Sequence, residues 1–224
     1  MELTILMPCL NEENTIGICI KKAKEFLYNN SIKGEILIAD NGSTDKSIEI
    51  AKGLGARIVN VKEKGYGNAL RLGALEAKGK YVIMGDSDNS YNFLELDEFI
   101  NKLREGYVLV IGNRYAGKME KKAMKFTHKY IGTPIISFIG RKKFKVDVKD
   151  FNCGLRGYNN EKIKGLNCTS EGMEYASEMI IKAKKANLSI CEVPINFYRD
   201  GRERSPHLNT LRDGIRHLVL ILKE

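Results

Sequence analysis

No uninterrupted apolar segment of the chain approaches the length of a transmembrane helix, so a helical membrane span is not expected. The first residues, MELTILMPCLNEE, lack a basic leading region, and their apolar run is too short for a secretory signal. Cysteine pairs are missing as well. Cys9, Cys19, Cys153, Cys168 and Cys191 are scattered without a C-x-x-C, which argues against a zinc site or a disulfide framework and for a reducing cytosol. His128, His207 and His217 have no metal-ligand spacing and read as incidental. There is no internal repeat, low-complexity segment or linker. Tryptophan is absent too, and that excludes nothing.

What is present is ordinary for a globular protein: 224 residues, 43% hydrophobic and 29% charged, most naturally one domain with a full core. The net charge of +9 predicts anionic partners, among them nucleotides, phospholipid surfaces and nucleic acid. Nucleic acid is the weakest of these. The basic residues are not interleaved with stacking aromatics, and no nucleic-acid-binding motif occurs.

Along the chain, apolar runs alternate with helical spacing. Strands are expected at Leu3 to Met7 (stopped by Pro8), Glu35 to Ala39, Ala56 to Val61, Tyr81 to Met84 and Tyr107 to Ile111. Helices are expected over Thr15 to Tyr28, over a segment carrying Ile48, Ala51 and Leu54 and capped by Ser43 or Thr44, from the loop Lys64-Gly65-Tyr66-Gly67-Asn68 through Ala77, and near Leu94 to Arg104. This rhythm predicts an α/β fold with a parallel sheet between helical layers. After Gly112 the rhythm breaks. A basic, partly helical segment runs from Gly117 to Lys145, followed by an extended DFNCGLRGY at Asp150 to Tyr158. A helix over Gly172 to Ala186, a last strand at Ser189 to Ile195 and an amphipathic tail helix from Pro206 to Lys223 complete the chain.

The stretch Tyr81 to Asn89, YVIMGDSDN, carries the chemistry. Four apolar residues make a buried strand, Gly85 ends it, and Asp86 and Asp88 stand beyond its carboxyl end, where α/β sheets bind ligands. Two carboxylates that close repel one another, and a hard divalent cation relieves the repulsion while leaving positions open for diphosphate oxygens. A solvated acidic turn would carry the same letters.

The ordered series Pro8-x-Leu10-Asn11-Glu12-Glu13, Asp40-Asn41-Gly42-Ser43-Thr44-Asp45, Gly65-x-Gly67-x-Ala69 and Asp86-x-Asp88 resembles family 2 glycosyltransferases of the GT-A fold. Gly112-Asn113-Arg114, Asn152-Cys153-Gly154-Leu155-Arg156 and Gly172-Met173-Glu174 resemble its dolichyl- or polyprenyl-phosphate mannose and glucose synthase branch. The resemblance covers nearly the whole chain. It implies a single domain over 1–224, with a Rossmann-like nucleotide-binding layer and a mostly parallel mixed sheet flanked by helices. A nucleotide-sugar and metal half would span 1–116 and an acceptor half 117–224. The implied reaction moves a hexose, with inversion, from a nucleotide-diphosphate sugar of the GDP-mannose or UDP-glucose type, using Mg²⁺ or Mn²⁺. Asp86 and Asp88 would hold the metal. Pro8, Leu10, Glu12, Asp40, Gly42, Gly67 and Asp86 would bind the nucleotide sugar. Asn41 stands where the family usually has a second aspartate, and Ser90 where a glutamine often assists the metal.

The implied acceptor is a polyprenyl phosphate. That acceptor is already ionised at neutral pH and needs cations more than a base, whereas a glycan or glycolipid hydroxyl would need a base. Arg114, Arg156, Arg202 and Arg204 are the phosphate candidates, since arginine grips phosphate in a bidentate fork. Glu174 would orient Arg156, or serve as base to a hydroxyl acceptor. Asp88, Arg114, Arg156, Glu174 and Arg202 thus form the expected catalytic set. Finally, Ile131, Ile135, Ile136, Phe138 and Ile139 form an apolar stretch flanked by Lys121, Lys122, Lys125, Arg141, Lys142 and Lys143. That layout predicts an interfacial element, and a peripheral protein at the cytoplasmic face of the membrane. In the tail, Ile215, Leu218, Val219 and Leu222 are expected to pack into the core.

Overall fold

The computed structural model describes residues 1–202 and 210–224. Seven strands form one sheet: β1 (Leu3–Cys9), β2 (Gly34–Asp40), β3 (Arg57–Asn60), β4 (Tyr81–Met84), β5 (Leu109–Asn113), β6 (Arg156–Asn159) and β7 (Ile190–Pro194). Their spatial order is β3-β2-β1-β4-β6-β5-β7. Among the described residues, the α-helices are α1 (Ile16–Asn29), α2 (Ser47–Gly53), α3 (Tyr66–Glu76), α4 (Asp97–Arg104), α5 (Thr133–Phe144), α6 (Asn160–Lys164), α7 (Tyr175–Lys185) and α8 (Thr210–Lys223). A π-helical turn, His128–Gly132, leads directly into α5.

The sheet is mixed. β1, β2, β3 and β4 run parallel, as do β5 and β7, while β6 lies antiparallel between β4 and β5. That reversal puts the start of β6 at the same edge as the ends of β4 and β5. The loop before Arg156 is thereby brought beside the one after Met84. Successive side chains of a strand point to opposite faces. On one face Leu6 meets α3 so closely that a methyl group on Gly73 would lie 2.4 Å from it. On the other, Gly157 lies against Phe99 and Leu103 of α4 and against Ile83. Both faces are therefore covered, and all four residues of β4 are buried, as a continuous apolar run requires.

Three local expectations are corrected. β1 does not stop at Pro8 but continues to Cys9. The β1–β4 ladder has already ended at Leu6–Met84, and there only β2 pairs with it. Neither Ser43 nor Thr44 caps α2, which begins at Ser47 with its amide on Asp45 Oδ1 at 2.9 Å. Ser43 Oγ instead accepts from the Asn11 amide, and Asn11 Oδ1 from the Thr44 amide, so the loops after β1 and β2 are stitched together. Third, of the four tail residues expected in the core, only Leu218 packs against it, half-buried. Ile215, Val219 and Leu222 are exposed while Asp213, His217 and Ile221 are buried. Pro206, Leu208 and Arg204 lie outside the described residues, as does the Leu211 side chain.

α5 is built the same way. Thr133, Ile136, Ser137 and Gly140 make its buried stripe at helical spacing, with Ser137 Oγ accepting from the Phe151 amide. A methyl on Gly140 would lie 2.5 Å from the Phe151 ring, so this residue must be small. Small and polar residues thus face the protein, and Ile135 and Phe138 face out. Ile136, expected in the outer patch, is buried, and Ile139 is half-buried.

Candidate active site

The loops that follow β1, β2 and β4, with the loop preceding β6, meet at one edge of the sheet. Asp86 and Asp88 sit there on the turn after β4, held from three sides. Ser87 Oγ donates to the Pro8 carbonyl at 2.7 Å, and the Gly201 amide donates to the Asp88 carbonyl at 2.9 Å. Asn89, with φ of 63°, takes the left-handed conformation that closes the turn. Asp88 Oδ1 accepts from the amide and hydroxyl of Ser90, at 3.0 and 2.6 Å. Ser90 therefore supports the carboxylate from behind.

Asp86 Oδ1 accepts from the Tyr66 hydroxyl at 2.8 Å. Burial pushes its pKa up to about 6, and the Asp88 charge adds to the rise. The Tyr66 hydrogen bond and the Arg202 charge pull it the other way. Its Oδ2 lies 2.7 Å from where a side chain on Gly154 would begin, so a larger residue there would push the carboxylate aside. Arg202 supplies the compensating cation. Its Nη2 is ion-paired to Asp88 Oδ2, and its Nε lies 3.5 Å from Glu12 Oε1. Burial works against the Arg202 charge, but Asp88, Glu12 and Asp86 together raise its pKa. Glu12 is buried in the loop between β1 and α1, its amide on Ser47 Oγ at 2.7 Å.

The glycine-rich loop contributes differently from expectation. A side chain at Gly67 would lie 2.2 Å from the Ser170 carbonyl, and the Gly67 amide donates to Glu171 O at 2.8 Å. Gly65 and Gly67 admit the 170–172 backbone, which α7 anchors through Glu178 and the amides of Thr169 and Ser170. Asn41 organises the same loop: its Nδ2 donates to Glu63 O and its Oδ1 accepts from the Gly65 amide, both at 2.8 Å. Only an amide makes both bonds, which accounts for asparagine at this position. Asp40 Oδ1 accepts from the Ser43 amide at 3.0 Å, and Gly42 (φ of 92°) brings the backbone against the Lys64 ammonium.

The glycosyl transferase family 2 profile matches residues 4–166. The chain belongs to that family. It is 35% identical over 221 residues to the low-salt glycan biosynthesis hexosyltransferase Agl6 of Haloferax volcanii, which covers 98% of this chain and 53% of Agl6. The chain thus spans about half the length of that relative. Over 205 residues it is 27% identical to the dolichyl-phosphate hexose transferase of the same organism, covering 91% of this chain and 84% of that one. Among solved structures, glucosyl-3-phosphoglycerate synthase from Mycobacterium tuberculosis, in complex with Mn²⁺, UDP and glucosyl-3-phosphoglycerate, superposes with a TM-score of 0.76. Its identity is 21%, over 99% of this chain and 78% of that one. This likeness shows the fold, a GT-A-like arrangement.

Within this family 2 domain, the residues expected to act together divide into two groups. Pro8 and Asp40, near or at the ends of β1 and β2, stand beside Leu10, Glu12, Gly42, Asp86 and Asp88 on the converging loops, and Arg202, beyond β7, joins them through Asp88 and Glu12. Arg114 and Arg156 do not join them through a phosphate-facing fork. Arg114 places Nε and Nη2 on the two oxygens of Asp150, at 2.7 and 2.8 Å, and its guanidinium lies 5.2 Å from the centre of the Phe197 ring. Arg156 has no exposed surface, and its guanidinium donates to the carbonyls of Cys153, Ala176 and Phe151. Burial lowers its pKa. Both arginines instead fix the loop between β5 and β6. Glu174 is buried but does not reach Arg156; its Oε1 pairs with Arg216 of α8.

Sequence reading missed Tyr66, Lys64, Arg216 and His217. Tyr66 lies twenty residues from the carboxylate it serves, and no local pattern announces the pair. α8 did carry a signal. Asp213 and His217 are one helical turn apart, a polar stripe on the side that turns out to be buried.

The fit of Mg²⁺ or Mn²⁺ can be judged from the donors present. No group of three or more His, Cys, Asp or Glu among the described residues is arranged to hold a metal. A pair of repelling carboxylates, one with its pKa raised and the other held by an arginine, suits a cation that takes one or two carboxylates and completes its shell with water and phosphate oxygens. Asp86 and Asp88 would hold it, and when bound it would neutralise charge on the departing nucleotide diphosphate.

Proposed function

We propose that this domain transfers a hexose, with inversion, from a nucleotide-diphosphate sugar to a polyprenyl phosphate at a membrane surface, with a divalent cation at Asp86 and Asp88. The observation that carries this reading is the outward-facing apolar surface that the domain carries in addition to its carboxylate pair. Tyr115, two residues beyond β5, donates its hydroxyl to the Lys129 carbonyl at 3.0 Å, which ties the π turn to the segment that follows β5. Beyond that tie, Phe126 and Phe138 are 70% and 59% exposed, with Lys125, Arg141 and Lys142 beside them. Apolar side chains among acyl chains and cations on anionic headgroups suit an element lying in the interface. This surface favours a lipid-borne phosphate over a soluble hydroxyl acceptor.

The chain's own residues have definite parts in this scheme. The loops after β1 and β2 receive the nucleoside, with Glu12 and Asp40 offering acceptors. Asp86 and Asp88 fix the cation, and Arg202, which reaches Asp88, lies within reach of the diphosphate. The acceptor phosphate is already ionised, so no side chain need remove its proton. Arg202, paired to Asp88, and Lys64, whose ammonium donates to the Asn41 carbonyl, would hold the donor against it.

The decisive experiment incubates the protein with UDP-glucose or GDP-mannose, Mn²⁺, and vesicles containing a short polyprenyl phosphate. Transfer of the hexose to the lipid phosphate is expected. Hydrolysis alone, or transfer only to a soluble sugar hydroxyl, would overturn the proposed acceptor.

A further inference from the structure

Two buried oxygens beside the site have no hydrogen-bond partner among the described residues: Asn152 Oδ1 and Glu174 Oε2. Buried acceptors are ordinarily satisfied, so a pair left open on neighbouring segments marks a place for donors to arrive. Each residue is held by its other polar atom, and each holder belongs to α8. Arg216 Nη2 takes Glu174 Oε1, and the next residue, His217, lies with its Nε2 3.3 Å from Asn152 Nδ2. The Nδ1 of His217 in turn lies 2.8 Å from Ser177 Oγ. A neutral imidazole that receives the Asn152 amide at Nε2 carries its proton on Nδ1 and donates it to Ser177. Burial pushes the His217 pKa down to about 4, which keeps the ring neutral at physiological pH.

The segments bearing these oxygens both run to Asp86. Gly154, two residues after Asn152, lies against Asp86 Oδ2 and the Tyr66 hydroxyl. Gly172, two residues before Glu174, abuts Gly67, whose neighbour Tyr66 donates to Asp86. A carboxylate oxygen and an amide oxygen offer acceptors only, so they repel phosphate and accept hydroxyls.

We infer that Asn152 Oδ1, set by His217, accepts a hydrogen bond from a hydroxyl of the donor hexose, with Glu174 Oε2 as its companion acceptor. Asn152 is thus a hexose-contacting residue and His217 a positioning residue that acts through it. The inference rests on the nucleotide-sugar reading given above and adds the place of the sugar.

The test measures binding of UDP, GDP, UDP-glucose and GDP-mannose in the presence of Mn²⁺ by calorimetry, and takes the ratio of sugar-nucleotide to nucleotide affinity. Asn152→Ala should reduce that ratio roughly fivefold, the size of one hydrogen bond, while leaving affinity for the bare nucleotide unchanged. His217→Ala should reproduce the loss. His217→Gln, which keeps an acceptor for the Asn152 amide, should restore much of it. A general loss of structure would weaken nucleotide and nucleotide sugar alike, so the ratio isolates the sugar contact even if the alanine variants are less stable. An unchanged ratio in both alanine variants overturns the inference. So does a wild-type protein that gains no affinity from the hexose. A wild type that binds none of the four ligands overturns the nucleotide-sugar reading itself.

Discussion

The guanidinium of Arg202 is ion-paired to Asp88 and reaches toward Glu12, so a side chain from the far end of the sequence sits where a cation is called for. Asp86 and Asp88 are two residues apart on a largely buried turn, and uncompensated carboxylates there would repel strongly. A divalent ion at Asp88 must share or displace this arginine. Arg202→Gln is therefore expected to strengthen Mn²⁺ binding to nucleotide-free protein, read by the loss of the free-ion electron paramagnetic resonance signal. Transfer should fall in the same variant and in Arg202→Lys, which keeps the charge but loses the fork. Weaker Mn²⁺ binding in Arg202→Gln would show that the arginine does not compete with the ion.

Asp88→Asn removes a charged ligand while Ser90 can still hydrogen-bond the remaining oxygen. Metal-dependent transfer should drop by more than the ~100-fold typical of losing a residue that merely supports a metal ligand. The unfolding temperature without metal should not fall, because the substitution also removes a like charge beside Asp86. Retention of most of the turnover would remove Asp88 from the metal site.

Asn41→Asp tests the glycine-rich loop. The carboxylate keeps the bond from the Gly65 amide but loses the donor to Glu63 O, setting two acceptors face to face. A stability loss of about 1–3 kcal/mol is expected in denaturant titration. No loss would mean the loop is held elsewhere.

These residues show what the sequence disclosed. β4 and the Asp86–Asp88 turn were legible because apolar run, glycine and carboxylates are contiguous, and the fold class followed from alternating periods. The antiparallel β6 was harder, since strand direction depends on the 42-residue excursion from Arg114 to Leu155 rather than on any letter within Arg156–Asn159. Arg114 and Arg156 matched the family pattern, yet their partners, Asp150 and three carbonyls, are set by packing. Tyr66 and His217 found their partners only through contacts across the fold, and Asn41 needed the position of Glu63 before its amide made sense.

Two groups give stability opposite dependences on pH. His217 has its pKa lowered to about 4 by burial, so the unfolded state binds the proton more readily. Stability should fall as pH drops from about 6.5 toward 4, with a slope of up to ~1.4 kcal/mol per pH unit. Asp86 has its pKa raised to about 6, so the native state holds the proton longer. Its contribution should fall as pH rises from about 4 to 6. His217→Gln should abolish the acid-side loss, and Asp86→Asn should abolish the loss on the rising side. Unchanged curves of unfolding free energy against pH would contradict both assignments.

The last prediction concerns the outward face of α5 and α8. Ile135, Phe138 and Ile215 are 48%, 59% and 52% exposed, so replacing Ile135 and Phe138 with serine should leave the fold intact. Each such side chain, once buried in lipid, contributes up to about 1.5–3 kcal/mol, so the double substitution should lower vesicle affinity at least tenfold. The wild-type protein should pellet with vesicles containing anionic lipid at low salt. It should release as salt rises, because Lys125, Arg141 and Lys142 act through screened charge. Nucleotide-sugar affinity in solution should be unchanged, since the substituted residues lie on the exposed side of α5, opposite Ser137 and Gly140. If the double variant unfolds, this face belongs to the core. If it binds vesicles as tightly as wild type, the lipid contact lies on another surface.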